Sequence, residues 1–280
     1  MTIVLALASA VVYGASDFLG GLATKTSSAF AVVVWSQFAG LVMLGVAAAA
    51  MGTPLASSGD LAWGALSGVG GGAGVVLLYR GLSIGRMAIV APTTAVGAAA
   101  LPVLAGLVLG ERPQALAMVG VGVALLAIVL VSSAPNRGDV QTGRGLPPGL
   151  AEAIGSGIGF ALFFVSLAQA SDTAGLWPLL AARVSIAVAA LAGLATRTTL
   201  RPAPGSTRLI LAVGVLDMAA NLLYLLASRR GLLSLVAVIV SLYPASTVVL
   251  ARFVLGERLS ARQLVGLGAA DAGVALIAAA

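Results

Sequence analysis

The sequence predicts an all-α, polytopic membrane protein of about ten transmembrane helices arranged as two inverted five-helix repeats. Three observations point there: a scarcity of charge, a succession of apolar stretches long enough to cross a bilayer, and a motif that occurs twice at a long spacing. Of the 280 residues, 60% are apolar and only 9% charged, against about 25% charged in ordinary soluble domains. So few charges cannot cover a water-facing surface, so lipid must cover much of the outside. The 36 glycines fit this setting, because small residues let helix backbones approach closely in lipid.

A crossing helix takes roughly 20 mostly apolar residues. The chain divides into such spans at about 3–23, 30–50, 61–80, 87–109, 114–132, 149–170, 174–196, 207–228, 232–255 and 261–279. Residues 1–12 are apolar without a basic leader, and further apolar segments follow at once, so the first span reads as a retained helix. The longest polar interval runs from Ser132 to Pro148 and a second from Thr196 to Thr207; both read as loops. The expected division is a first repeat over 1–135, a central loop over 136–147 and a second repeat over 148–280.

The repeat itself is carried by Val108-Leu109-Gly110-Glu111-Arg112, which returns as Val254-Leu255-Gly256-Glu257-Arg258, an offset of 146 residues. At the same offset Val119, Gly120 and Gly122 return as Val265, Gly266 and Gly268. Five crossings per half is an odd number, so the second half must start from the other side of the membrane. The halves are then related by a pseudo-two-fold axis in the membrane plane, an arrangement common among transporters.

Cys and His are both absent. That removes disulfides, thiolate chemistry, imidazole metal sites and His-based triads, so no metal and no cofactor is expected. The glycine-rich run Gly68, Gly70, Gly71, Gly72 and Gly74 lacks the Lys-Ser/Thr of a nucleotide-binding loop; it reads as a surface for tight helix packing, with a flexible or broken helix near the cavity as the alternative. Gly81-Leu82-Ser83-Ile84-Gly85 matches a hydrolase pattern, but lies between two membrane helices in a chain with no His. No catalytic residue is assigned and the chain is not expected to be an enzyme. The net charge of +6 is nearly all arginine, with Lys25 the one lysine; in a membrane protein such loops set orientation, and no nucleic-acid partner is implied.

Ionisable groups inside spans carry the sharpest functional signal, because each costs about 2.5–3.5 kcal/mol at a helix centre on insertion scales. Asp217 lies mid-span, with Asn221 and Tyr224 following on one helical face; this stripe is a candidate cavity lining, and Asp217 a candidate to bind a cationic group or a proton. Asp17 and Tyr243 are further cavity candidates, and Trp35 is a candidate wall that lipid contact would explain as well. Arg183 is the one basic residue deep in a span and must find a partner among Asp217, Asp17 and Asp271, or meet an anionic solute. Asp271 sits centrally in the last span and is a coupling or ion-pair candidate, with a structural or interface role favoured. Gly110, Glu111, Arg112, Gly256, Glu257 and Arg258 end their spans and read as a structural motif at turns.

The paired Leu-Gly-Glu-Arg with Gly-x-Gly beyond it, together with Pro92, Pro102 and Pro244 upstream, resembles the EamA domain of the drug/metabolite transporter superfamily. The resemblance covers nearly the whole chain and is most specific at 107–122 and 253–268. It implies ten helices around a central cavity lined mainly by spans 3, 4, 8 and 9. It also implies secondary transport of a small organic metabolite or drug by alternating access, with export the favoured direction and a proton a candidate coupling ion. A flippase for a lipid-linked head group and a non-transporting assembly protein are the rival readings. The expected partners are a small-molecule substrate and the lipid bilayer of a bacterial-type plasma membrane, with the protein acting as a monomer or homodimer. Orientation has two answers. Most loop arginines follow the odd-numbered spans, which by the positive-inside rule puts both termini outside; the family resemblance puts them in the cytoplasm.

Overall fold

The computed structural model describes residues 1–51, 55–84, 87–132, 148–256 and 259–280. Long apolar segments without water to hydrogen-bond their backbone must satisfy it internally, which in lipid leaves helices. The described residues are accordingly helical throughout their apolar stretches. The first half holds α1 (Thr2–Ala23), α2 (Ala29–Met51), α3 (Ser58–Ile84), α4 (Met87–Val108) and α5 (Ala115–Ser132). The second holds α6 (Leu150–Ala168), α7 (Trp177–Ala181), α8 (Ser185–Ala195), α9 (Thr207–Ser228), α10 (Leu233–Val240), α11 (Tyr243–Leu255) and α12 (Ala261–Ala278). Two pairs are single crossings broken in the middle: Trp177–Ala195 and Leu233–Leu255 are each one membrane-length apolar segment. Among the described residues, eight segments are long and apolar enough to cross a membrane, and the shorter apolar helices Thr93–Val108 and Ala115–Val131 complete ten crossings.

Hydrogen bonds between loops sort them onto two faces. On the face that carries Met1, Thr2 Oγ1 donates to the Arg230 carbonyl at 3.0 Å, and the Asp60 carboxylate accepts the Ser171 amide at 2.7 Å. The Leu233 and Ser234 amides donate to the Glu111 carboxylate on the same face. These are the turns after even-numbered crossings. On the opposite face Ser27 and Ser206 hydroxyls meet at 2.9 Å, Arg80 pairs with Glu152 at 3.3 Å and Gln263 Nε2 donates to the Val131 carbonyl at 3.4 Å. These are the turns after odd-numbered crossings. Gly110 and Gly256 therefore emerge on opposite faces, as two inverted repeats require. Both adopt positive φ, 96° and 69°, a region that glycine occupies without steric cost. That explains why each half keeps Gly at the head of its turn. Glu257 and Arg258 lie outside the described residues.

The two halves interlock. Helices α1 and α2 pack against α9 and α10/α11 of the second half; α3 and α4 pack against α6 and α7/α8. The result is two four-crossing bundles, each built from both halves, with α5 and α12 paired beside them. The repeat offset is visible in the packing itself. A Cβ at Gly68 would strike the Ala182 carbonyl oxygen, and one at Gly214 would strike the Ser36 carbonyl oxygen. Adding 146 converts Gly68 to Gly214 and Ser36 to Ala182, so one close backbone crossing occurs twice. Between helices in lipid, where no hydrophobic drive operates, such approach supplies the van der Waals contact that holds them.

Two measurements check this arrangement. The chain has no native cysteine, so single cysteines at Gln114 and Arg201 report topology directly. In sealed vesicles an impermeant maleimide should reach them from opposite sides; labelling from the same side would refute the ten-crossing topology. Gly214→Ala should destabilise by about 1–3 kcal/mol through forced overpacking, read as a lower unfolding midpoint in detergent. Gly122→Ala, where a Cβ would meet nothing within 4 Å, should leave it unchanged.

Candidate functional site

The site is built where two crossings are interrupted. Pro244 has no amide hydrogen to continue the helix, and the chain turns at Ser241–Leu242 before α11 restarts with Pro244 in its first turn. The other break is a 3-10 turn, Ala182–Val184, between α7 and α8. It carries Arg183, whose Nε bonds back to the Leu179 carbonyl at 3.3 Å. Irregular backbone at membrane depth is tolerated where it is buried in protein or lines a cavity, and both breaks border one.

That cavity has a volume of about 140 Å³, smaller than the roughly 300–1,000 Å³ of drug-sized ligand sites. Its lining comes from α1, α2, α3, α4, α6, α8, α9, α11 and the 3-10 turn. Crossings 1, 2, 6 and 7 therefore contribute beside the expected 3, 4, 8 and 9, because the interlocked halves place them at the centre.

One polar cluster crosses the cavity. Arg183 Nη1 stands 3.7 Å from Asp217 Oδ2 and donates to Gln37 Oε1 at 2.5 Å. Gln37 Nε2 donates to Asp217 Oδ2 at 3.0 Å, so one amide serves both charges, and only this amide orientation satisfies them together. Asn221 Nδ2 donates to the Asp217 carbonyl at 2.7 Å and to its Oδ2 at 3.0 Å, and Asn221 Oδ1 accepts from the Tyr13 hydroxyl at 2.9 Å. Arg183 is 6% exposed; a charge so buried is tolerable only when paired and hydrogen-bonded. Gln37 and Arg183 are equivalent positions, 37 plus 146 giving 183, and they touch. They mark where the pseudo-two-fold axis passes through the cavity.

Of the residues singled out from sequence, Asp17, Arg183, Asp217, Asn221 and Tyr243 line this cavity. Tyr224 and Trp35 do not. Tyr224 is fully buried and its hydroxyl donates to the Phe164 carbonyl at 2.6 Å; i+7 from Asp217 carries it past the cavity into the packed end of the bundle. Trp35 is 42% exposed on the outer surface, its indole donating to the Leu200 carbonyl at 2.9 Å. Asp271 lies on the exposed side of α12, so Arg183 finds its partner in Asp217 instead. Sequence reasoning missed the bridging role of Gln37 and the aromatic wall of Phe160, Phe163 and Phe164. Applying the repeat offset to Arg183 would have found Gln37; nothing in α6 distinguishes its phenylalanines from lipid-facing ones.

Toward the face bearing the termini the cavity is sealed. Glu111, at the end of α4, accepts the Leu233 and Ser234 amides at 2.5 and 3.0 Å, binding one bundle to the start of α10 in the other. A carboxylate suits this place, since free amides and the helix dipole favour negative charge at an N-terminus. Arg229 Nη2 donates to the Ser171 and Gly175 carbonyls, both at 3.1 Å, with Asp172 at 3.8 Å. Partial burial draws its pKa below the usual arginine value, and Asp172 and Asp60 oppose that shift. Arg112 bonds back to the Leu107 and Glu111 carbonyls, closing its own helix end.

Such a fold and site define a class: a multi-pass helical membrane protein of two inverted repeats around a central polar cavity. The family model of the EamA-like transporter family matches residues 1–133 and again 147–279, and the chain belongs to that family. It is thus a membrane transporter of the drug/metabolite type. A crystal structure described only as that of a protein superposes with a TM-score of 0.76, covering 98% of this chain and 95% of its own at 18% identity; at that identity the likeness establishes the fold. A search of the curated proteins finds no match.

The central ion pair sets an expectation of its own. Arg183→Gln and Asp217→Asn should each destabilise strongly, toward about 3 kcal/mol, the lower end for breaking a buried pair, because Asp217 retains cavity exposure. The double variant should recover a large part of the loss. Denaturation of all three in detergent gives the coupling; additive losses would show the pair to be unimportant.

Proposed function

We propose that this transporter is a secondary carrier that moves a small organic solute by alternating access, with the central cavity as its binding site. The observation that carries this reading is the asymmetry of closure. The two bundles are joined across the terminal face by Glu111 and Arg229, while the lining continues from mid-molecule through Val33, Asp17 and Leu78 toward the other face. Two interlocked bundles of the same design can exchange their packings about the axis through Gln37 and Arg183. The exchange would close the second face and release the first, the behaviour expected of inverted repeats.

The chemistry of the lining supports a solute with both polar and apolar parts. Asp217, Asn221, Gln37 and Tyr13 offer directed hydrogen bonds, and aromatic and glycine surfaces supply the rest. No nucleotide-binding motif accompanies the chain, so a gradient would drive the cycle, with Asp217 and Asp17 as the groups able to take up a proton. Export follows if loading occurs on the cytoplasmic side.

Solute flux into proteoliposomes tests the reading. Wild type should accumulate solute faster with an imposed pH gradient than without, and Asp217→Asn should lose at least tenfold. Undiminished flux in the variant would remove Asp217 from the mechanism. Indifference to the gradient would remove proton coupling. Movement only of lipid-linked head groups would favour a flippase.

A further inference from the structure

Among the described residues, three charged side chains line the cavity, Asp17, Arg183 and Asp217. Two are acidic and one is basic, so with all three ionised the cavity is left with one uncompensated negative charge. Geometry says where it lies. Asp217 is engaged on Oδ2 by Gln37, Asn221 and Arg183, and the guanidinium of Arg183 is committed to Asp217, Gln37 and Leu179. Asp17 forms no hydrogen bond or ion pair among the described residues, is accessible from the cavity, and stands one helical turn from Tyr13 on α1. A carboxylate left free at membrane depth, where charge is expensive, is by default a functional group awaiting its partner.

The walls beside it are aromatic. Tyr13 and Tyr243 neighbour each other with ring centroids 6.5 Å apart and ring planes tilted by 57°, and Phe160 and Phe163 line the same space. Aromatic faces attract cations, more strongly when both are withdrawn from water. An anionic solute would meet a guanidinium already neutralised and a carboxylate that repels it.

We propose that the cavity selects organic monocations, an ammonium head against Asp17 with an apolar body among the aromatic rings. The proposal rests on the carrier reading for its biological sense, but as a binding site it is tested separately. Benzyltrimethylammonium, benzenesulfonate and benzyl alcohol share one ring and differ in charge. Equilibrium binding of each, radiolabelled, to the purified full chain in detergent should show saturable binding of the cation alone. Asp17→Asn should weaken it at least tenfold, Asp17→Glu should retain it within a few fold, and Asp271→Asn, the same charge change on the outer helix, should leave it unaltered. The unfolding midpoint of Asp17→Asn should match wild type, since Asp17 makes no hydrogen bond or ion pair among the described residues.

A folded Asp17→Asn that binds the cation as tightly as wild type overturns the proposal. So does preference for the sulfonate or the alcohol, or binding of none of the three. Counterflow in proteoliposomes separates the two readings. If anionic or neutral solutes move and cations do not, the cation site falls and the carrier stands. If the cation binds at Asp17 and nothing crosses, the carrier falls and the cation site stands.

Discussion

A guanidinium held at the middle of a membrane protein must be answered by a carboxylate, and much of the central architecture follows from how this chain answers Arg183. The arginine sits in a 3-10 turn that breaks its crossing, which spends one carbonyl, that of Leu179, on the guanidinium. Asp217 comes from the next crossing and Gln37 from the other half of the chain. Holding all three together fixes α2, α7/α8 and α9 around one point. Close approach of α9 to α2 at Gly214, and of α3 to the turn at Gly68, makes that convergence sterically feasible.

The backbone is symmetric where the charge is not. Gly68 and Gly214 make the same crossing, and Gly110 and Gly256 make the same left-handed turn. At the same offset, however, Arg183 answers to Gln37, Asp217 to Gly71 and Asp17 to Phe163. Duplicated packing supplies two bundles of the same design. Divergence of the side chains concentrates the acidic groups in one bundle, formed by α1, α2, α9 and α10/α11. The opposing bundle contributes the phenylalanines of α6 and the glycines of α3. A cavity with an acidic wall facing an aromatic and glycine wall, with Arg183 reaching across between them, follows from that division.

Closure at the terminal face uses another kind of contact. Glu111 and Arg229 bind mainly backbone amides and carbonyls at helix ends. Such groups are left unsatisfied by helix geometry and are present at the end of every crossing. Contacts of this kind leave the apolar core untouched, whereas the Arg183 cluster is buried within it. Tyr224, bonded to the Phe164 carbonyl across the bundles, seals the same side deeper in.

The sequence by itself determined the membrane setting, the ten crossings and the inverted duplication. These depend on composition, run length and an odd repeat, all local or additive properties of the chain. It also marked Asp17, Asp217, Arg183, Asn221 and Tyr243, because polarity in an apolar run is conspicuous wherever the run ends up. Only the tertiary structure decided which of these meet. Asp271, for which the sequence favours a structural or interface role, lies on the exposed side of α12, and Tyr224 and Trp35 shared the signal of cavity residues without facing the cavity. Helix rotation about its own axis and the interlocking of the two halves set those outcomes. Neither is encoded in a single helix whose faces are almost equally apolar; both are fixed by where glycine lets one backbone press against another.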